Sequence, residues 1–212
     1  MMRRTFALPP PRAFMQMPLS YMEAKLRARR SEFYEGDRLR RLLEAGDVED
    51  LCERIYPGLD VFSHLDLERQ LRQDVVSELA GLLLFLPPGV GRLFQALLRR
   101  FQVQNIAVLL HCWAGDGDLD SAEPYLFELP DSLGVPAEKL IAASDVEDFI
   151  SAVPDDTLQA GMRHSLDLYR ETGGTVFLEM GLDTAIWDGV YDSLSALGRE
   201  DRRMCRELID EE

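Results

Sequence analysis

The feature that most constrains this chain of 212 residues is a segment that occurs twice. Residues 42–51 read LLEAGDVEDL and residues 140–149 read LIAASDVEDF, so Asp-Val-Glu-Asp is identical at an offset of 98 residues. Similarity over that distance indicates duplicated lobes, because solenoid repeats recur at much shorter periods. A duplicated lobe without a catalytic motif favours a scaffold or coupling protein.

The repeated Asp-Val-Glu-Asp also predicts local structure. A helix N-cap favours an aspartate, whose carboxylate accepts a hydrogen bond from an exposed backbone N–H, and the helix dipole stabilises further acidic residues in the first turn. We therefore expect Asp47 and Asp145 to begin equivalent helices and to have a structural role.

Most of the remaining sequence predicts helix. Ser20 and Glu23 form a capping box, and Pro87-Pro88-Gly89 separates helices predicted over 67–86 and 90–113. Alternating β patterns are scarce, which predicts an all-α fold. Further helices are predicted over 136–143, 145–153, 156–172, 175–197 and 199–210.

These elements predict an irregular segment over 1–19, a first helical lobe over 20–115 and a second over 116–212. A second correspondence, at an offset of 111 residues, aligns Glu68 with Glu179 as structural positions. At that offset the counterpart of Asn105 falls beyond residue 212, which predicts an incomplete second lobe.

Two structural expectations follow from this division. Asn105 lies in an apolar stretch, so its amide is expected to be buried and paired with a neighbouring segment, since an unpaired buried amide is costly. An incomplete lobe leaves apolar side chains uncovered, which predicts self-association. The side chains expected to be uncovered are Ile186, Val190, Leu194, Leu197, Met204 and Leu208.

Charge is distributed unevenly along the chain. Residues 1–115 contain 16 Lys and Arg against 14 Asp and Glu, whereas residues 116–212 contain 7 against 24. The acidic half argues against a nucleic-acid partner, because the phosphate backbone favours clustered cations. One basic cluster is either a solvated helix face or an interface with an acidic partner. It comprises Lys25, Arg27, Arg29, Arg30, Arg38, Arg40 and Arg41.

The sequence carries no motif that predicts an enzyme, a metal centre or a cofactor. Three scattered cysteines without a CxxC pattern indicate reduced thiols. The turn at 116–120 resembles the start of a calcium loop, but Ser121 and Phe127 occupy the positions that require Gly and Glu. The N-terminal residues lack a signal-peptide core, and no apolar run reaches the length of a membrane span, so we expect a cytoplasmic protein.

Several short motifs occur in an order that resembles the C-type stalk subunits (the d-type subunits of eukaryotes, AC39-like) of V-type and A-type proton ATPases. That family shows a Tyr-x-x-Ala-Arg first helix, a Glu-x-x-Leu-Arg helix, an Asp-x-x-Asn-Ile helix and a later Glu-x-x-Leu-Asp segment; Gln102 stands where it usually has Asp. The matching segments here are Tyr21 with 24–29, 42–51, Tyr56, Glu68 with 71–72, 101–110, and Glu179 with 182–183.

The resemblance implies a funnel-like helical body of three lobes, of which this chain would hold two. It implies a non-catalytic central-stalk subunit without a cofactor, peripheral on the cytoplasmic face of the membrane. The implied partners are the rotor shaft subunits and the membrane rotor ring, to which the subunit would transmit torque.

Two other functions stay open at this stage. The chain could be a generic α-helical adaptor built from duplicated lobes. It could also be a helical hydrolase that uses the acidic turn at 116–120.

Overall fold

The computed structural model describes residues 24, 26–28, 30, 34–58, 63–83 and 85–210. Regular structure within those residues is entirely helical, which confirms the predicted all-α fold class. None of the described helices is long and apolar enough to cross a membrane. The helices after residue 36 are α1 (Asp37–Leu43), α2 (Val48–Ile55), α3 (His64–Leu83), α4 (Pro88–Ala114), α5 (Leu119–Ala122), α6 (Ala137–Ile141), α7 (Val146–Ala152), α8 (Asp156–His164), α9 (Leu166–Thr172), α10 (Val176–Leu194) and α11 (Arg199–Asp210), with 3₁₀ turns at Glu123–Tyr125 and Asp131–Leu133.

The chain divides into two compact units. The first comprises Met1–Leu67 with Leu84–Leu86, and the second comprises Glu68–Leu83 with Pro87–Glu212. That residues 20–115 and 116–212 form duplicated lobes stays a prediction, based on the similarity between the two segments in sequence.

The first unit has a small core. Cys52 and Leu67 are buried there, and Leu51, Ile55 and Tyr56 pack against them. α1 has no buried residue and α2 has one, so these short helices bury little apolar surface within the unit.

The second unit contains the main core, in which α4 and α10 carry most of the buried side chains. Ile106, Leu109 and Leu110 of α4 are fully buried in it, as are Leu178 and Leu182 of α10. Both helices are apolar around much of their circumference, which is the pattern of helices enclosed by others.

The two Asp-Val-Glu-Asp segments begin helices with matching geometry. Asp47 has φ −154° and ψ −177°, and Asp145 has φ −153° and ψ 179°. Each carboxylate accepts a hydrogen bond from the backbone N–H three residues later, at 2.8 Å in α2 and 2.9 Å in α7. The third residue of each helix also accepts a hydrogen bond from a residue before the cap. Asp50 accepts from Gly46 N–H, and Asp148 accepts from the Ser144 hydroxyl. Both segments therefore begin a helix with the same local cap geometry.

The single helix predicted over 156–172 is wrong, because the structure has two helices there. The backbone turns at Ser165, whose N–H bonds to the carbonyl of Met162 three residues back, and α9 starts at the next residue. Leu158, Met162, Leu166 and Tyr169 are buried or half-buried at helical spacing. The apolar pattern continues across the turn, so periodicity alone does not reveal it.

Most of the apolar side chains that we expected to be uncovered are buried. Ile186, Val190, Leu194 and Leu197 are each at most 7% exposed, since they belong to the main core of the second unit. The expectation is wrong for these four residues. Met204 and Leu208 of α11 are 56% and 66% exposed.

Candidate partner-binding surface

The basic cluster predicted from the sequence lies in the first unit. Arg27 and Arg30 are exposed, whereas Lys25 and Arg29 lie outside the described residues. Arg38, Arg40 and Arg41 are exposed on α1. The structure thus places three of the seven predicted cations on one short helix.

The cations of α1 have different surroundings. Arg40 pairs with Asp37 at 3.5 Å, and both side chains are largely in solvent, where such pairs contribute little to stability. The guanidinium carbon of Arg38 lies 5.0 Å from the centre of the Tyr34 ring, a cation–π distance. Arg41 has no carboxylate within ion-pair distance among the described residues.

Arg54 of α2 joins this group, although the charge pattern of the sequence does not select it. Its Nε and Nη2 atoms bind the two carboxylate oxygens of Asp50 at 2.7 and 2.6 Å, and Nη1 donates to the Arg41 carbonyl. Hydrogen bonds from Arg54 and from Gly46 N–H lower the pKa of the Asp50 carboxyl. The Asp50–Arg54 spacing of four residues is a helix ion-pair signal that could have been recognised.

A surface pocket of about 390 Å³ lies among these side chains, and we call it the arginine cavity. It is lined by Tyr34, Arg38, Arg41, Leu42 and Arg54. Three arginine side chains, one aromatic ring and one aliphatic side chain therefore line one surface pocket.

A second polar region connects α4 and α10 in the second unit. His111 Nε2 lies 3.0 Å from Glu179 Oε1, and Arg100 lies 5.7 Å from the centre of the Trp187 ring. Asp183 is on the same side of α10, four residues from both Glu179 and Trp187. Glu179, which we predicted as a structural position, thus connects two helices. Its sequence counterpart Glu68 pairs with Arg72 within α3.

Asp183 supplies a pH-dependent prediction. The Asp183 side chain is exposed, but partial desolvation of its carboxyl raises the pKa, the charge of Glu179 raises it further, and Arg100 opposes both. The folded protein therefore holds this proton more tightly than the unfolded chain does. Ionisation of Asp183 then lowers the free energy of unfolding as pH rises above the unfolded pKa of about 3.9.

We expect Asp183→Asn to raise the melting temperature at pH 7. The gain should shrink as pH falls towards 4, because the wild-type carboxyl is then protonated. Asp188→Asn, an exposed site on the same helix, is the control. A gain of equal size at pH 4 and pH 7, measured by circular dichroism melts, would contradict the assignment.

Asn105 is 5% exposed on α4 and holds an extended segment in place. Its Nδ2 donates to the Phe127 carbonyl at 2.9 Å, and its Oδ1 accepts from Phe127 N–H at 2.8 Å. Gln73 of α3 makes the same two bonds to Glu128, at 3.0 and 2.9 Å. Two side-chain amides therefore satisfy backbone groups that a neighbouring strand would otherwise bind. This is the pairing with a neighbouring segment that the sequence predicts for Asn105.

The acidic turn at 116–120 forms a helix start. The Asp118 carboxylate accepts from the hydroxyl of Ser121 at 2.6 Å and from its N–H at 3.0 Å. These bonds lower the pKa of Asp118. No group of three or more His, Cys, Asp or Glu side chains in the described part of the chain could hold a metal ion.

One known family matches most of this helical chain. The model of the ATP synthase (C/AC39) subunit family matches residues 22–212. The chain belongs to this family. The resemblance inferred from the short motifs is therefore confirmed.

Curated relatives of this C/AC39 family member are distant. The C-type subunit of the A-type ATP synthase of Haloferax volcanii is 25% identical over 204 residues, covering 91% of this chain and 57% of the relative. The protein of the same name from Methanocaldococcus jannaschii is 22% identical over 213 residues, covering 92% and 52%. The chain thus spans little more than half the length of these relatives. No solved structure matches it.

Proposed function

We propose that this C/AC39 family member is a non-catalytic central-stalk subunit of a rotary A/V-type ATPase. In this role it connects the rotor shaft subunits to the membrane rotor ring and transmits torque for ion transport. It works as a peripheral component on the cytoplasmic face of the membrane.

The family match over residues 22–212 is the observation that carries this proposal. The relatives are named as C-type subunits of A-type ATP synthases, and the matched region extends across nearly all of this chain. Because the chain spans only part of those relatives, its assembly into a whole motor is what requires testing.

The packing of the second unit suits a part that transmits force. α4 and α10 are joined by buried side chains and by the His111–Glu179 pair, and α8 lies against α10 through two glycines. Close-packed interiors have low compressibility, so such a body transmits strain with little deformation.

Affinity purification from native membranes tests the proposal. A tagged chain, expressed from its own promoter and extracted in mild detergent, should co-purify with the catalytic and ring subunits of a rotary ATPase. Mass spectrometry identifies the subunits, and the untagged strain is the control.

A second readout addresses torque. Loss of the chain should leave ATP hydrolysis by the soluble head but abolish ATP-driven ion pumping in membrane vesicles. Co-purification of other proteins with no rotary ATPase subunit would instead favour the adaptor function. Unchanged pumping would contradict the stalk role.

A further inference from the structure

We infer that one face of α10 is a docking surface for a basic amphipathic helix of a partner protein. We call this surface the α10 face. The inference goes beyond the proposed function, which names a complex but no contact surface. The face is formed by exposed or half-buried side chains on one side of the helix, namely Val176, Met180, Thr184, Trp187 and Tyr191.

The first argument is the apolar stripe that the α10 face presents to solvent. Its four apolar side chains are spaced four, seven and four residues apart, so they fall within an arc of about 60°. Val176, Met180 and Tyr191 are 54%, 57% and 41% exposed, whereas Leu178 and Leu182 of the same helix are fully buried in the main core. The stripe extends about 22 Å at 1.5 Å per residue, which matches about four turns of a second helix. Exposed apolar patches of this kind mark interaction sites.

The second argument is the charge along the two edges of the stripe. α10 contains four Asp and Glu and no Lys, Arg or His. Asp183 lies along one edge of the α10 face and Asp188 along the other, and both side chains are exposed. Asp188 makes no ion pair with any residue that the structure describes. An apolar stripe between charged edges is the pattern by which a helix pairs with a partner helix of opposite charge.

The cationic groups that α4 brings to this face are already engaged. The Arg100 guanidinium carbon lies 5.7 Å from the centre of the Trp187 ring, and His111 Nε2 lies 3.0 Å from Glu179 Oε1. The carboxylates of Glu179, Asp183 and Asp188 outnumber these two groups. Residues 116–212 contain 24 Asp and Glu against 7 Lys and Arg, so the surrounding charges also attract a cationic partner.

The charge and the apolar stripe together select the occupant. Carboxylates repel an anionic membrane, a nucleic acid and an acidic protein segment alike. A second copy docked through the same face would place Asp183 and Asp188 against like charges. A polar polycation would satisfy the charges but leave the stripe exposed. A helix with Lys or Arg beside a row of Leu satisfies both, because amphipathic helices dock through apolar side chains three and four residues apart.

The test measures binding of the full chain to a fluorescein-labelled helical peptide with Leu at every third or fourth position and Lys beside each Leu. A scrambled peptide has the same composition but no apolar face, and a third peptide has Glu in place of Lys. We expect the Lys–Leu peptide to bind at least tenfold more tightly than either control. Its binding should weaken as salt rises, because screening reduces the attraction between charges.

Two methionines of nearly equal exposure locate the apolar contact. Met180 on the α10 face is 57% exposed, and Met204 on α11 is 56% exposed. Met180→Gln should weaken binding of the Lys–Leu peptide by at least fivefold, because the stripe loses a central apolar side chain. Met204→Gln should change it by less than twofold.

Two double variants that each remove two carboxylates locate the charged contact. Asp183→Asn/Asp188→Asn should weaken binding by at least tenfold. Asp167→Asn/Glu171→Gln, at exposed positions of α9, should change it by less than twofold. Because both variants lose the same charge, net charge alone predicts no difference between them. Circular dichroism melts no more than about 2 °C below wild type confirm that all the variants are folded.

Four results would overturn the inference: no binding of the Lys–Leu peptide to wild type, equally tight binding of the scrambled peptide, equal effects of the two methionine substitutions, or equal effects of the two double variants. Equal binding of the scrambled peptide would mean that charge alone attracts it. Sedimentation that shows a wild-type dimer, which Met180→Gln dissociates, would assign the α10 face to a second copy of the chain instead.

Discussion

Replacing Gly181 by alanine should lower the free energy of unfolding by about 3 kcal/mol, at the upper end of the range for overpacking. Gly181 of α10 and Gly161 of α8 face each other, and a Cβ built on either one lies 2.3 Å from the carbonyl oxygen of the other. That oxygen belongs to a helix backbone, so it cannot move aside as a flexible side chain could. The two helices would have to separate, which opens the core around Leu182 and Met162.

Gly189 supplies the matched control on the same helix. No atom lies within 4 Å of a Cβ built there. Alanine should therefore stabilise α10 by up to about 1 kcal/mol through its helix propensity. Urea unfolding of the two variants measures the difference, and equal midpoints would show that α8 and α10 are not in backbone contact.

The double variant Gly161→Ala/Gly181→Ala provides a further check. A single separation of the helices relieves both clashes, so its cost should be less than the sum of the two single costs. Simple additivity would mean that the two glycines act independently.

Replacing Asn105 by leucine should cost about 2 to 3 kcal/mol. The substitution leaves the N–H and C=O groups of Phe127 without their partner amide, and unsatisfied buried groups cost about 1–3 kcal/mol each. It also releases the Phe127 ring, whose centre is 5.4 Å from that of Phe101. Gln104→Leu, an exposed neighbour on the same helix, should change stability by less than about 0.5 kcal/mol.

Hydrogen exchange separates this effect from general loosening. In the Asn105→Leu variant the amide of Phe127 should exchange faster, while that of Glu128 stays protected by Gln73. Faster exchange of both amides would indicate that the whole segment detaches. An unchanged rate for Phe127 would show that Asn105 does not hold it.

The structural elements that the sequence predicts correctly depend on contacts between near neighbours. Asp47 and Asp145 bind backbone groups three residues away, so the same four residues produce the same helix start at both places. Gly173 ends α9 with φ 72°, a left-handed conformation that glycine adopts readily and that predicts a helix end. Pro87 and Pro88 separate α3 from α4 as predicted, but α4 begins at Pro88 and not at residue 90, because the missing N–H of a proline is not needed in the first turn.

The candidate site could be predicted only in part. The charge pattern identified Arg38 and Arg41, but it did not separate them from Arg40, which lies one residue before Arg41. Only the packing of α1 against α2 brings Arg54 to the Arg41 carbonyl and forms the surface pocket. A linear sequence shows which cations are present, whereas a site requires the geometry that brings them together.

By itself, the sequence determined the helical class, the repeated helix starts and the family, because each depends on residues close together or on motifs in order. The tertiary structure decided which surfaces are covered. Val190 and Leu194 are buried because α10 lies in the main core of the second unit, and Asn105 reaches a backbone segment 22 residues away. The contact between Gly161 and Gly181 likewise depends on the turn at Ser165 that no apolar pattern marks. Such contacts follow from the path of the whole chain, since their partners are too far apart in sequence for local preferences to bring them together.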